Sequence, residues 1–188
     1  MASPQTLSEA DRRIVAGWAA DCAARVLWLF EAEAPQDRRP RDAIARTRAF
    51  ARGELAVAGE ICRRFVGGGA ARDVRTPAAA AAARAAGQAA AVAHMGAHAL
   101  GAAAYAAKAA GLAADDERVA VAQGVRWTLS HMSAPVKAAL RLLPPLGEDS
   151  LRPARTRAAG LGSPGHDHPR PAGRTGRFDR LVRASARR

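Results

Sequence analysis

Residues 77–112 read PAAAAAARAAGQAAAVAHMGAHALGAAAYAAKAAGL, and the fold turns on how that stretch packs. Alanine is the strongest intrinsic helix former because it gives up no side-chain freedom in a helix. It also brings little apolar area to bury. The stretch therefore predicts closely approaching helices that share a thin layer of methyl groups. Thr76 and Pro77 supply an N-cap and a first helical residue. As one helix the run would have about 35 residues, roughly three times the mean length. A break is expected near Met95–Gly96, and Gly87 and Gly101 are read as points of close helix approach. Arg84, Gln88, His94, His98 and Lys108 make the run a poor membrane span.

Working outward, the flanks are helical too. Ser8 and Asp11 form an S-x-x-D capping box. Ile14, Trp18, Cys22 and Val26 then recur every four residues, widened by Val15, Leu29 and Phe30, until Pro35 ends the run. A second helix is expected from Pro40, with Ile44, Thr47 and Ala51 on one face and Gly53 as its stop. A third runs from Glu54 to Phe65, broken by Gly67, Gly68 and Gly69. Beyond the alanine-rich stretch, Asp115, Asp116 and Glu117 suit a helix N-terminus. The stripe Val121, Val125, Leu129 and Met132 follows. Ser133 and Pro135 start a last helix carrying Val136, Leu140 and Leu143, which Pro144 and Pro145 end. No strand pattern and no long repeat is visible. The expectation is an all-α bundle of about six to seven helices over residues 7–145. Residues 146–188, dominated by Gly, Pro, Arg and Ser, are expected to be a disordered tail.

The 188-residue chain is long enough for one domain with its own core. Its charge of +12 is unevenly placed. Residues 1–150 hold 19 Lys and Arg against 15 Asp and Glu, whereas residues 151–188 hold 10 against 2. Such a tail could meet nucleic acid through Arg170, Arg174, Arg177, Arg180 and Arg183. Yet 27 of the 29 cations are Arg, and GC-rich coding composition explains that before a binding role does. Cys22 and Cys62 are too few for a disulfide framework and sit at apolar helix positions, as reduced buried thiols do. MASPQTLSEADRR has no apolar signal core, so a cytoplasmic protein is expected.

Recognisable catalytic patterns are missing. In HMGAH, His94 and His98 would share one helix face, which is how a helix offers two imidazoles to a metal. A third ligand would have to come from His131, Asp115, Asp116 or a Cys. The zinc-protease pattern is absent, because Met95 and Gly96 stand where a Glu base is needed. The competing reading has the two rings packed between thin helices and bonded to carbonyls, with no cofactor. Tyr105 lies two turns beyond His98 on the same face. Trp18, Trp28 and Trp127 are read as core anchors, with an exposed Trp28 as a binding hot spot instead. GGGAAR at 67–72 lacks the Lys-Ser/Thr ending of a phosphate loop, and GHDH at 165–168 lies in the tail.

Four segments together carry a resemblance: LSEADRRIVAGWAADCAARVLWLFEAEAP, PRDAIARTRAFARGE, AARAAGQAAAVAHMGAHALGAAAYAAKAAG and the Trp127 helix. AHMGAHALGAAAYAAKA is the most specific. Over residues 7–145 the chain resembles a group of small bacterial immunity proteins, Imm-five-like, linked to polymorphic toxin systems and frequent in actinobacteria. The resemblance implies an all-α fold and a non-catalytic role, binding and neutralising a toxin domain. ICRRFVGGGA and the tail depart from it. Inhibitors of basic nucleases are usually acidic, so the positive charge argues against a nuclease target. The expected partner is a toxin domain or a second copy of the chain. The alternatives are a nucleic-acid-associated helical protein using the tail, and a metal-dependent helical enzyme at His94, His98 and His131.

Overall fold

Ser8 turns the chain into its first helix. In the computed structural model, which describes residues 7–63 and 66–144, its hydroxyl oxygen accepts the Asp11 amide at 3.1 Å. Its O–H donates to the Asp11 carboxylate at 2.5 Å. Helix α1 (Glu9–Ala24) buries Val15, Trp18, Ala19, Cys22 and Ala23. Ile14, expected on that stripe, sits at its rim and is 39% exposed. The expected run to Pro35 is split. Val26 takes φ −114° and ψ 4°, outside the helical well, and a separate α2 (Leu27–Glu31) follows. That reorientation sends Phe30 fully into the core and leaves Trp28 outside.

Helix α3 (Arg39–Ala51) carries Pro40 in its first turn and buries Ile44, Thr47 and Phe50. The Thr47 hydroxyl donates to the Ala43 carbonyl at 2.8 Å, so its burial leaves no polar group unpaired. Gly53, at φ +84°, ends the segment in the left-handed region that favours glycine. Helix α4 (Val57–Arg63) begins later than the expected Glu54. The expected end at Phe65, and the Ile61 and Cys62 side chains, fall outside the described residues. The glycine run is itself helical. Val66–Gly69 forms a short α5, followed by a 3-10 turn at Ala70–Arg72. A Cβ built on Gly87 would lie 2.6 Å from the Gly68 Cα, so this turn is held by backbone-to-backbone contact with the next helix.

Helix α6 (Pro77–Ala91) starts at the Thr76 cap, and α7 (His98–Leu112) follows after the expected break around Met95–Gly96. Helix α6 is central: α1, α2, α3, α5 and α7 all pack on it, α7 most extensively. The shared surface is alanine, with Ala82, Ala86, Ala89, Ala99, Ala103 and Ala106 buried. Helix α8 (Glu117–Ser130), capped by Asp116, packs on α7 and buries only Gly124 and Thr128 fully. Helix α9 (Ala134–Arg141), capped by Ser133, returns Val136 and Leu140 to α1. The Trp18 indole N–H donates to the Thr128 carbonyl at 3.1 Å and ties α1 to α8. The described residues thus form nine α-helices and no strand, more helices than the expected six to seven because α2 and α5 are short separate turns. Among them no helix is long and apolar enough to cross a membrane. The tail reading of 146–188, with Arg170, Arg174, Arg177, Arg180 and Arg183, lies outside the described residues.

Glu33 links the end of α2 to the start of α6. Its carboxylate accepts the Arg75 amide, the Thr76 amide at 3.0 Å and the Thr76 hydroxyl at 2.7 Å. The Arg75 amide first, then the two Thr76 groups, hold this carboxyl below the usual glutamate range. A depressed folded-state pKa contributes stability above the unfolded value, and that contribution disappears as pH falls through the folded value. Glu33→Gln is therefore expected to lower the melting temperature at neutral pH and to make stability less sensitive to mild acid. Thermal unfolding across an acid series checks both. Equal acid sensitivity in variant and parent would count against the link.

A cationic cleft between α5, α6 and α7

The alanine hairpin is interrupted on one side by larger polar residues, and these gather. Arg84 and Gln88 stand one turn apart on α6, His98 and Tyr105 two turns apart on α7, and His94 in the connection between them. Together with Gly68, Gly69 and Arg72 they line a cleft of about 570 Å³. Two small residues make it possible. Gly87 lets α6 meet the Gly67–Gly68 backbone and forms the floor. Gly101 leaves room for Gln88, whose Oε1 lies 2.3 Å from where a Cβ would be. Gln88 Oε1 in turn pairs with His98 Nδ1 at 2.8 Å, which fixes the imidazole's orientation.

The expected pairing of His94 and His98 on one helix face is not what forms. Helix α6 ends at Ala91 and α7 starts at His98, so the two rings come from a turn and a helix start rather than from successive turns. The turn between the two halves sets Gly96 against the Leu7 side chain, with no room for a Cβ. Both histidines border the same cleft with Tyr105. His131 is elsewhere: it stacks on Trp127 at 4.0 Å between ring centroids, and its Nδ1 lies 2.8 Å from the Trp127 carbonyl. Among the described residues, no three His, Cys, Asp or Glu side chains stand together as a metal site would need.

The three tryptophans separate into three environments. Trp18 is a core anchor, as expected. Trp127 is half-buried, with the Arg25 guanidinium 5.2 Å above its ring. Trp28 is no anchor, being 62% exposed on α2. Cys22 is fully buried, and that burial, with Asp21 beside it, pushes its thiol pKa far up, which removes it as a nucleophile.

Arg72, Arg84 and Gln88 were not legible as site residues from sequence. The available signal was the i, i+4 spacing of Arg84 and Gln88 within an otherwise alanine helix. A family model described as "Imm-5 like putative immunity protein" matches residues 5–135, a span that includes the cleft and Trp28. No curated protein and no solved structure matches the chain.

Proposed function

Because the chain belongs to the Imm-5 like immunity protein family, we propose that it neutralises a toxin by binding one of its domains, without catalysis, in the cytoplasm. The family match carries this reading, since it runs through every helix from α1 to α8. Trp28 supports a binding role. Tryptophan is among the residues most enriched at interface hot spots, and this one is held outward on a helix whose neighbour Phe30 is locked in the core. Its indole is therefore presented by a rigid base, which lowers the ordering cost of association.

The test is the affinity of the purified chain for the product of a neighbouring toxin gene, once the adjacent genes are identified, compared with Trp28→Ala. The variant is expected to lose about 2 kcal/mol or more of binding, roughly thirtyfold in Kd, with its melting temperature unchanged. Wild-type affinity in the variant would remove Trp28 from the interface. No detectable complex with the unaltered chain would remove the immunity reading itself.

A further inference from the structure

Arg72 and Arg84 border the α5–α6–α7 cleft together with His94, His98 and Tyr105, and no Asp or Glu lines it. Neither guanidinium makes an ion pair or side-chain hydrogen bond among the described residues. By contrast, Arg13, Arg39, Arg41, Arg46, Arg48 and Arg52 are each tied to a carboxylate, while the unpaired Arg118 and Arg126 lie apart from the cleft on α8. The Tyr105 hydroxyl likewise has no hydrogen-bond partner in the described fold. The cleft thus brings together donors that the protein itself leaves unused.

We propose that this cleft is a binding site for a phosphate monoester of about nucleotide size. A guanidinium offers a planar fork of N–H groups that matches phosphate oxygens in pairs. A phosphate monoester carries about −1.5 to −2 charges near neutral pH, enough to balance both arginines, whereas a single carboxylate leaves one uncompensated. The cleft of about 570 Å³ is too large for phosphate alone and falls within the roughly 300–1,000 Å³ of small-molecule sites. It is also formed in advance. The Gln88–His98 hydrogen bond and the Gly87–Gly68 contact set its wall and floor before any ligand arrives. This site is independent of Trp28 and of the toxin-binding reading.

Calorimetric titration of the full chain with adenosine monophosphate, and with inorganic phosphate as competitor, tests it at constant ionic strength. The expected result is saturable binding of one monophosphate per chain, displaced by phosphate. Arg72→Ala with Arg84→Ala is expected to weaken it at least about tenfold. Both side chains are exposed and unpaired, so this double variant should melt with the parent. Arg118→Ala with Arg126→Ala, two exposed positions on α8, is expected to bind as the parent does, which separates the cleft from general attraction to a basic chain. Absence of saturation, or saturation that survives the cleft variant, overturns the proposal. So does a glutamate-rich peptide that occupies the cleft where adenosine monophosphate does not, a result that would assign the cleft to a protein partner.

Discussion

Phe30→Ala is expected to lower the unfolding free energy by about 3–5 kcal/mol. Aromatic residues make up 4% of the chain, and Phe30 and Phe50 head its fully buried side chains. What surrounds Phe30 is an interior in which most buried residues are alanine. A methyl group has no rotamer with which to reach into a vacated space, and α2 is braced against α6. The cavity left behind should therefore stay largely open, at the expensive end for such a substitution. Against a total stability of about 5–15 kcal/mol, that is about a fifth or more of what holds the domain folded. Phe30→Leu, which keeps most of the volume, should cost under about 1.5 kcal/mol. Denaturant unfolding of the two variants checks both values. A Phe30→Ala loss below about 1.5 kcal/mol would mean that the helices close over the gap and that the interior is looser than its geometry indicates.

Gly87→Ala is expected to destabilise by about 1–3 kcal/mol, although alanine gains about 1 kcal/mol over glycine in an ordinary helix. The new Cβ would fall 2.6 Å from the Gly68 Cα and 2.7 Å from its amide nitrogen. Backbone cannot rotate aside as a flexible side chain can, so α5 must move off α6. Gly59 is the control. It lies exposed on α4 with nothing within 4 Å of a built Cβ, so Gly59→Ala should show the ordinary helix gain. Opposite signs for these two substitutions would confirm that helix contact, not propensity, decides the glycine at 87. Equal signs would refute it. Since Gly87 also floors the cleft, its alanine variant should weaken any ligand held there along with the fold.

Much of the architecture was legible because its causes are local. The Ser8, Thr76 and Ser133 caps, the acidic start of α8 at Asp116 and the break around Met95–Gly96 all follow from neighbouring residues. The role of Gly87 was legible as well, since a glycine within a strong helix stretch asks for a packing reason. What escaped depends on tertiary contact. No Gly or Pro marks the bend at Val26, after which the reoriented turn places Phe30 in the core. Trp28 belongs to the same apolar run as Leu27, Leu29 and Phe30, and periodicity could not say that it would face outward. The cleft could be read only in part: His94, His98 and Tyr105 stood out in the sequence, but not the arginines that join them. Arg72 is distant in sequence from Tyr105, and it is the packing of α5, the Ala70–Arg72 turn and α7 on α6 that brings their segments to one opening.

The proposed function makes one claim about cells: the chain would protect by occupying a toxin, not by transforming a substrate. The direct test is growth of cells producing the toxin domain identified from the adjacent genes, with and without the chain supplied in equal amount. Growth should be restored only when the chain is present, and Trp28→Ala should restore it less at equal expression. A chain that is folded and helical by circular dichroism, yet neither binds that domain nor rescues growth, would contradict the proposal.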